Sequence, residues 1–322
     1  MTEQLAPTSL HSAPSGSGKT LFKLAVAVPF FLGSALYLSI IFAILSAMPM
    51  IYAHLRFGRL YGVLCSVTNI AIVWALSGRE NAAIFFVLGV VPAATIAESF
   101  RLKLKLEWNV VATIGMMLLV STTLLLSYSH KFKINPIEKL DSFVGDVVAQ
   151  VAENIEKYKA SSAISSQELE KFLVDPEMTK KNILYELPSA VTIFLLIVVA
   201  SNLLLSLRFN LNNVRTYLGL EEDFFKKWKA PDHLVWPTLA VGFCVVVEIP
   251  GVSEIALNLF KVFMAIYAIQ GLAITHYVFD LWGVKGFLRP IGYAVAVAVL
   301  LPLVISLGFF DLWFNFREKL KV

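Results

Sequence analysis

Apolar runs of about 20 residues recur along this chain, each long enough as a helix to cross a hydrocarbon core of about 30 Å. They occupy Leu21–Tyr52, Leu60–Leu76, Ala82–Ser99, Trp108–Tyr128, Leu187–Leu207, Leu234–Ile249, Ile255–Phe279 and Pro290–Phe310. Lipid offers no hydrogen bonds, so each run must satisfy its own backbone N–H and C=O groups, and a helix does this segment by segment. Composition agrees: 57% of residues are hydrophobic and 16% charged, against roughly 25% charged in soluble domains. The expected fold is all-α, a polytopic transmembrane bundle of seven or eight hydrophobic helices with one extramembrane helical insert. By range, this gives a flexible leader at 1–20, a first membrane half at 21–128 with three or four spans, the insert at 129–186, a second membrane half at 187–310 with four spans, and an interfacial tail at 311–322.

Charge fixes orientation rather than a nucleic-acid partner. The net charge of +4 comes from bases in short loops, as expected where Lys and Arg hold cytoplasmic ends in place. Arg56 and Arg59, Arg101, Lys103 and Lys105, Arg208 to Lys229, and Lys285 with Arg289 follow alternate segments. Trp74, Trp108, Trp228, Trp236, Trp282 and Trp313 fall at or near segment ends, where the interface favours them. The first run is too long for a signal-peptide core and has no convincing cleavage site. With Pro29, Gly33 and Pro49 it reads as one tilted helix or a re-entrant hairpin. Cys65 and Cys244 both lie in apolar stretches, which gives no disulfide framework or metal cluster.

The leader ends in Gly18, Lys19 and Thr20, the close of a phosphate-binding loop, but that motif requires glycine where Ala13 stands. It also needs a preceding strand, and none is encoded. The insert has a clear helical pattern after Pro136, with Leu140, Val144, Val147, Val151, Ile155 and Tyr158 at steps of three and four. Ser165 and Glu168 have the spacing of a capping box for a second short helix. The insert is read as a helical hairpin on the bundle, or as a docking surface or substrate lid.

Polar residues within apolar runs carry the functional expectations, because a charge at mid-bilayer costs about 2.5–3.5 kcal/mol. Glu254, Asn258 and Lys261 share one helix face, and Glu248 lies just before the Pro250-Gly251 turn. Lys261 lies about 10 Å into its helix and wants a partner, with Glu254 or Glu248 in reach. The group is either a structural ion pair or a polar pocket facing an anionic ligand. Gln270 points about half a turn away toward another helix, and Gly271 beside it permits close approach. Asn69 and Asn202 read as interhelical hydrogen-bonding amides, Glu98 with Arg101 as an interfacial pair, and His276 with Asp280 as a hydrogen-bonded pair without enough ligands for a metal. Ala35, Ser39, Ala43 and Ala47 form a small-residue row suited to packing a helix of this protein or of a partner subunit. Gly292 and Ala296 give the last run a similar face. No zinc-protease, hydrolase or carboxylate-cluster motif occurs, so no enzyme, catalytic residue, metal or cofactor is expected.

Three stretches resemble the YybS-like family of bacterial membrane proteins: PMIYAHLRFGRLYG (Pro49 to Gly62), QGLAITHY (Gln270 to Tyr277) and LGFFDLWFNFR (Leu307 to Arg317), the last with Asp311, Trp313, Phe316 and Arg317 in place. That family is a domain of unknown function, remotely similar to the substrate-binding S components of energy-coupling-factor vitamin transporters. The resemblance implies a multi-pass protein of the bacterial cytoplasmic membrane. It also implies uptake of a small molecule, with another membrane subunit or a coupling ATPase complex as partner. The alternative is a non-transporting scaffold or assembly subunit that docks a partner through 129–186.

Overall fold

The computed structural model describes residues 26–161, 175–209, 215, 218–221 and 223–320. The leader and the Ser165–Glu168 capping box lie outside the described residues. Among the described residues every regular element is a helix, as the apolar runs require. The chain forms two compact units, one of residues 1–117 and 198–218, the other of 118–197 and 219–322.

The first unit begins with two short helices, α1 (Pro29–Leu38) and α2 (Met48–Phe57), separated by a 3₁₀ turn at Ala43–Leu45. Each has 10 residues, about 15 Å, or half a crossing. The two pack on each other, so this apolar run is a broken element that folds back on itself and is not one tilted helix. The break overturns the small-residue row. Ala35, Ser39, Ala43 and Ala47 share a face only if the helix continues, and it stops at Ser39. The Ser39 hydroxyl donates to the Leu36 carbonyl (2.6 Å) and accepts from the Phe42 N–H (3.2 Å), closing a turn. Ala47 is fully buried while Ala35 and Ser39 are exposed.

Helices α3 (Arg59–Phe85) and α4 (Val91–Arg101) are joined by a π-helical turn at Phe86–Val90. A straight helix would put Arg59 and Glu98 almost 60 Å apart. Instead the Arg59 guanidinium grips the Glu98 carboxylate in two bonds of 2.9 and 2.6 Å. The stretch is therefore a hairpin, and its turn is Gly78, at φ 82° and ψ 176°, a conformation that Cβ-bearing residues avoid. Arg101 also pairs with Glu98, as the sequence suggested. Helix α5 (Leu106–Phe132) up to Met117 and the end of α7 (Pro176–Arg208) from Val198 complete this unit.

The second unit holds the rest of α5 and α7 together with α6 (Pro136–Ser161), α8 (Phe224–Lys227), α9 (Val235–Val246), α10 (Ser253–Leu281), α11 (Leu288–Ala298), α12 (Leu301–Phe314) and α13 (Phe316–Lys319). Helix α6 is the amphipathic helix expected after Pro136. Val144 and Val148 are buried, and Asp141 ties it to Lys180 of α7 at 2.7 Å. Helix α7 continues through the expected insert boundary at Glu186, with Pro188 in its interior. Helices α11 and α12 are bent by 89° at their junction, where Pro302 opens α12. The tightest crossing is α10 on α12. A Cβ added to Gly271 would lie 1.9 Å from the Val304 carbonyl oxygen, and one on Gly308 would lie 1.9 Å from that of Tyr267. Backbones meet there directly, the approach that small residues permit between helices in lipid.

Four described stretches are long and apolar enough to cross a membrane, or five if the bent α11–α12 pair is one span. The Arg59–Arg101 hairpin counts as one of these but contains two arms of about 20 residues, a crossing each. Among the described residues, full-length helices therefore do not reach seven or eight. The shortfall lies in the first run and in 234–249, which form only short apolar helices. Large apolar side chains such as Trp74, Trp108, Val246 and Phe287 stand exposed, which suits a surface solvated by lipid.

Replacing Gly271 or Gly308 by alanine is expected to destabilise the protein by at least 1–3 kcal/mol, the usual cost of overpacking, because the obstacle is a carbonyl that cannot rotate away. Gly115→Ala, where a Cβ meets nothing within 4 Å, serves as the neutral control. Thermal unfolding in detergent reads all three.

Candidate functional site

The Lys261 group is where the sequence placed it, on α10, but its partners come from α7. Lys261 Nζ lies 2.7 Å from Glu186, in place of the expected Glu254 or Glu248, both of which are exposed. Helix α7 carries Pro188 in its interior. An interior proline removes one ladder bond and crowds the preceding turn, at a cost of about 3 kcal/mol. Asn258 repairs the gap. Its Oδ1 accepts from the Ser189 N–H at 2.9 Å, and its Nδ2 donates to the Tyr185 carbonyl at 2.8 Å. In an unbroken helix Ser189 and Tyr185 would bond to each other, so the carboxamide is inserted into the ladder. Nδ2 also donates to the Glu254 carbonyl at 3.0 Å. Asn258 and Lys261 are thus engaged in holding α7 to α10.

Gln270 faces away from this group, as its spacing required, and lies at the centre of a buried network. Its Oε1 accepts from the Ala230 N–H (3.0 Å) and its Nε2 donates to Asp311 Oδ2 (3.0 Å). Asp311 is 0% exposed. Its Oδ1 accepts from the Phe316 N–H at 3.0 Å, and the Arg317 guanidinium approaches Oδ2 at 3.6 Å. Arg317 also donates to the Trp228 carbonyl at 2.9 Å, and Lys229 donates to Asn315 at 2.6 Å. Asn315 takes the left-handed conformation at φ 45°, which turns the chain so that Arg317 comes back toward Asp311. Burial loosens the hold of the Arg317 guanidinium on its proton, while Asp311 opposes the effect. The network joins the Gln270-Gly271 motif to the C-terminal motif, two stretches singled out separately in the sequence.

A further polar group lies at the other end of α10. His276 Nδ1 is 2.6 Å from the Tyr293 hydroxyl, and Asp280 takes Arg289 at 2.9 Å, with His276 Nε2 farther off at 3.9 Å. Lys226 lies 3.7 Å from Asp280, and a hydrogen bond to Asp223 raises its pKa above the ordinary lysine value. Asp280 therefore answers cations from α8 and α11 as well as His276. Among the described residues no cluster of His, Cys, Asp and Glu has the makings of a metal site.

In the first unit two amides serve the broken element. Asn69 Oδ1 accepts from the Ser34 N–H (2.7 Å) and its Nδ2 donates to the Pro29 carbonyl (2.9 Å). Asn202 Nδ2 donates to the Ile44 carbonyl at 2.6 Å. The missed residues, Tyr185, Glu186 and Ile44, act through backbone atoms or long-range pairing, which no local pattern encodes.

Substituting Asn258 by leucine leaves two backbone groups unpaired and is expected to cost about 2–4 kcal/mol. In the Pro188→Ala background the ladder can close on itself, and the same substitution should cost less than half as much. A double-mutant cycle of unfolding temperatures measures the difference. Asp311→Leu, which strands the Arg317 charge, is expected to cost about 3–5 kcal/mol, and Asp311→Asn appreciably less.

Comparisons with curated proteins and with solved structures return no match. A family model described as "Predicted membrane protein (DUF2232)" matches residues 25–312, covering both broken elements, both interior-facing glycines, Gln270 and Asp311. This is the multi-pass arrangement of apolar helices seen here, it fits the resemblance of the motifs to the YybS-like proteins, and the chain belongs to that family.

Proposed function

We propose that the protein is a solute-binding membrane subunit for small-molecule uptake in the bacterial cytoplasmic membrane. The observation that supports this reading is the pair of discontinuous apolar elements, α1–α2 in one unit and α11–α12 in the other. Breaking a helix in lipid frees backbone groups that must be satisfied again, and membrane proteins tolerate this where the freed groups line a cavity or bind a solute. The remote similarity of the YybS-like proteins to S components points the same way, by analogy of fold alone. A coupling partner with ATPases follows from that analogy.

The residue-level expectation shifts with the structure. Lys261 and Asn258 are engaged between α7 and α10, and Glu254 lends only its backbone carbonyl to Asn258, so the ligand is assigned to one of the broken elements instead. Lys261→Ala should leave a retained ligand in place and lower stability by no more than about 1 kcal/mol, as for other half-exposed ion pairs.

A second reading rests on α6. Ile137, Phe143 and Val147 are exposed on a helix whose Val144 and Val148 are buried, a surface that a scaffold could offer to a partner protein. Mass spectrometry of the intact protein released gently from its native membrane separates the two. The uptake reading expects a stoichiometric small molecule, or a coupling subunit with ATPases. A different protein complex, without ligand and lost when 136–161 is deleted, overturns it in favour of the scaffold.

A further inference from the structure

The break between α1 and α2 contains polar atoms whose needs the protein does not meet. Asn202 is 0% exposed and its Nδ2 donates twice, to the carbonyls of Ile44 (2.6 Å) and Val198 (2.8 Å). These two carbonyls fix the orientation of the amide, since flipping it would set oxygen against oxygen. Its Oδ1 therefore faces the other way, and it has no hydrogen-bond partner. Ser46, two residues beyond Ile44, is also 0% exposed with an unpartnered Oγ. Between them stands Leu45, whose carbonyl would look to residue 49 for a helical bond, but residue 49 is proline and has no N–H. The segment between α1 and α2 is strained: Ile40, a β-branched residue, is held at φ 62°.

The two unmet side-chain atoms are an amide oxygen and a hydroxyl, and the Leu45 carbonyl beside Ser46 adds a third uncharged oxygen. Thiolate or imidazole sites select transition metals, and calcium or magnesium sites draw on carboxylates. Amide, hydroxyl and carbonyl dipoles at an unwound membrane helix instead replace the hydration shell of an alkali cation. We propose that the break in the first membrane segment binds one sodium ion through Asn202 Oδ1, Ser46 Oγ and the Leu45 carbonyl. The ion satisfies the atoms that the break leaves over and holds the strained segment closed.

This inference goes beyond the uptake reading, and its test needs no transported solute, so either can fail while the other stands. The full chain, purified in detergent, is unfolded thermally in sodium chloride and in choline chloride at equal ionic strength. Binding of radioactive sodium is measured alongside. The expected result is saturable binding of one ion per chain and a melting temperature raised by several degrees in sodium. Ser46→Ala should weaken sodium affinity about tenfold, and Asn202→Leu should abolish the sodium-dependent shift. Ser306→Ala, which lies on α12 and bonds only within its own helix at 2.8 Å, should keep it. If Asn202→Leu does not fold, Ser46→Ala decides. Equal melting temperatures in the two salts without saturable binding would overturn the proposal and leave a buried water as the occupant. An unchanged sodium response in Ser46→Ala would overturn the assignment of the ligands.

Discussion

A peptide group in hydrocarbon has no water to turn to, and an unpaired N–H or C=O there costs several kcal/mol. This protein interrupts helices repeatedly within its apolar runs, so most of its architecture follows from how the freed groups are recovered. The answer recurs: a carboxamide on a neighbouring helix offers one acceptor and one donor arm. Asn69 serves Ser34 and Pro29 on α1, Asn258 serves Ser189 and Tyr185 around Pro188, and Gln270 serves Ala230 while holding Asp311. Asparagine and glutamine fit the task because each carries both hydrogen-bonding roles without a charge to desolvate.

Close helix approach is the second element of the design. Gly271 and Gly308 let α10 and α12 meet backbone to backbone, and this contact brings Gln270 within reach of Asp311. The buried carboxylate is neutralised by Arg317, which returns through the left-handed turn at Asn315. Two of the family motifs, Gln270–Tyr277 and Leu307–Arg317, far apart in the chain, are thus one spatial unit. A glutamine, an aspartate and an arginine drawn from three helices close the C-terminal end of the second unit around the Trp228–Ala230 segment.

How much of this could be read from the sequence depends on the range of the interaction. Hydropathy announces the apolar runs, and heptad-like spacing announces α6, since both are local. The half-turn offset between Lys261 and Gln270 placed them correctly on different faces. The hairpin at Gly78 was legible as two apolar runs, Leu60–Leu76 and Ala82–Ser99, with a short polar gap between them. The row Ala35–Ser39–Ala43–Ala47 misled because spacing of four means a shared face only while a helix continues, and Ser39 bonds into a turn instead. The Lys261 partner was misassigned because Glu254 and Glu248 are close in sequence, whereas Glu186 approaches from another helix.

The most direct test of the account is site-resolved hydrogen exchange at the Ser34 and Ser189 amides in lipid nanodiscs. If side-chain amides replace missing ladder bonds, both N–H groups are protected in the native protein. Asn69→Leu should then release Ser34 alone, and Asn258→Leu should release Ser189 alone. Fast exchange at both sites in the native protein, or protection unchanged by either substitution, would contradict the claim that these carboxamides hold the broken helices together.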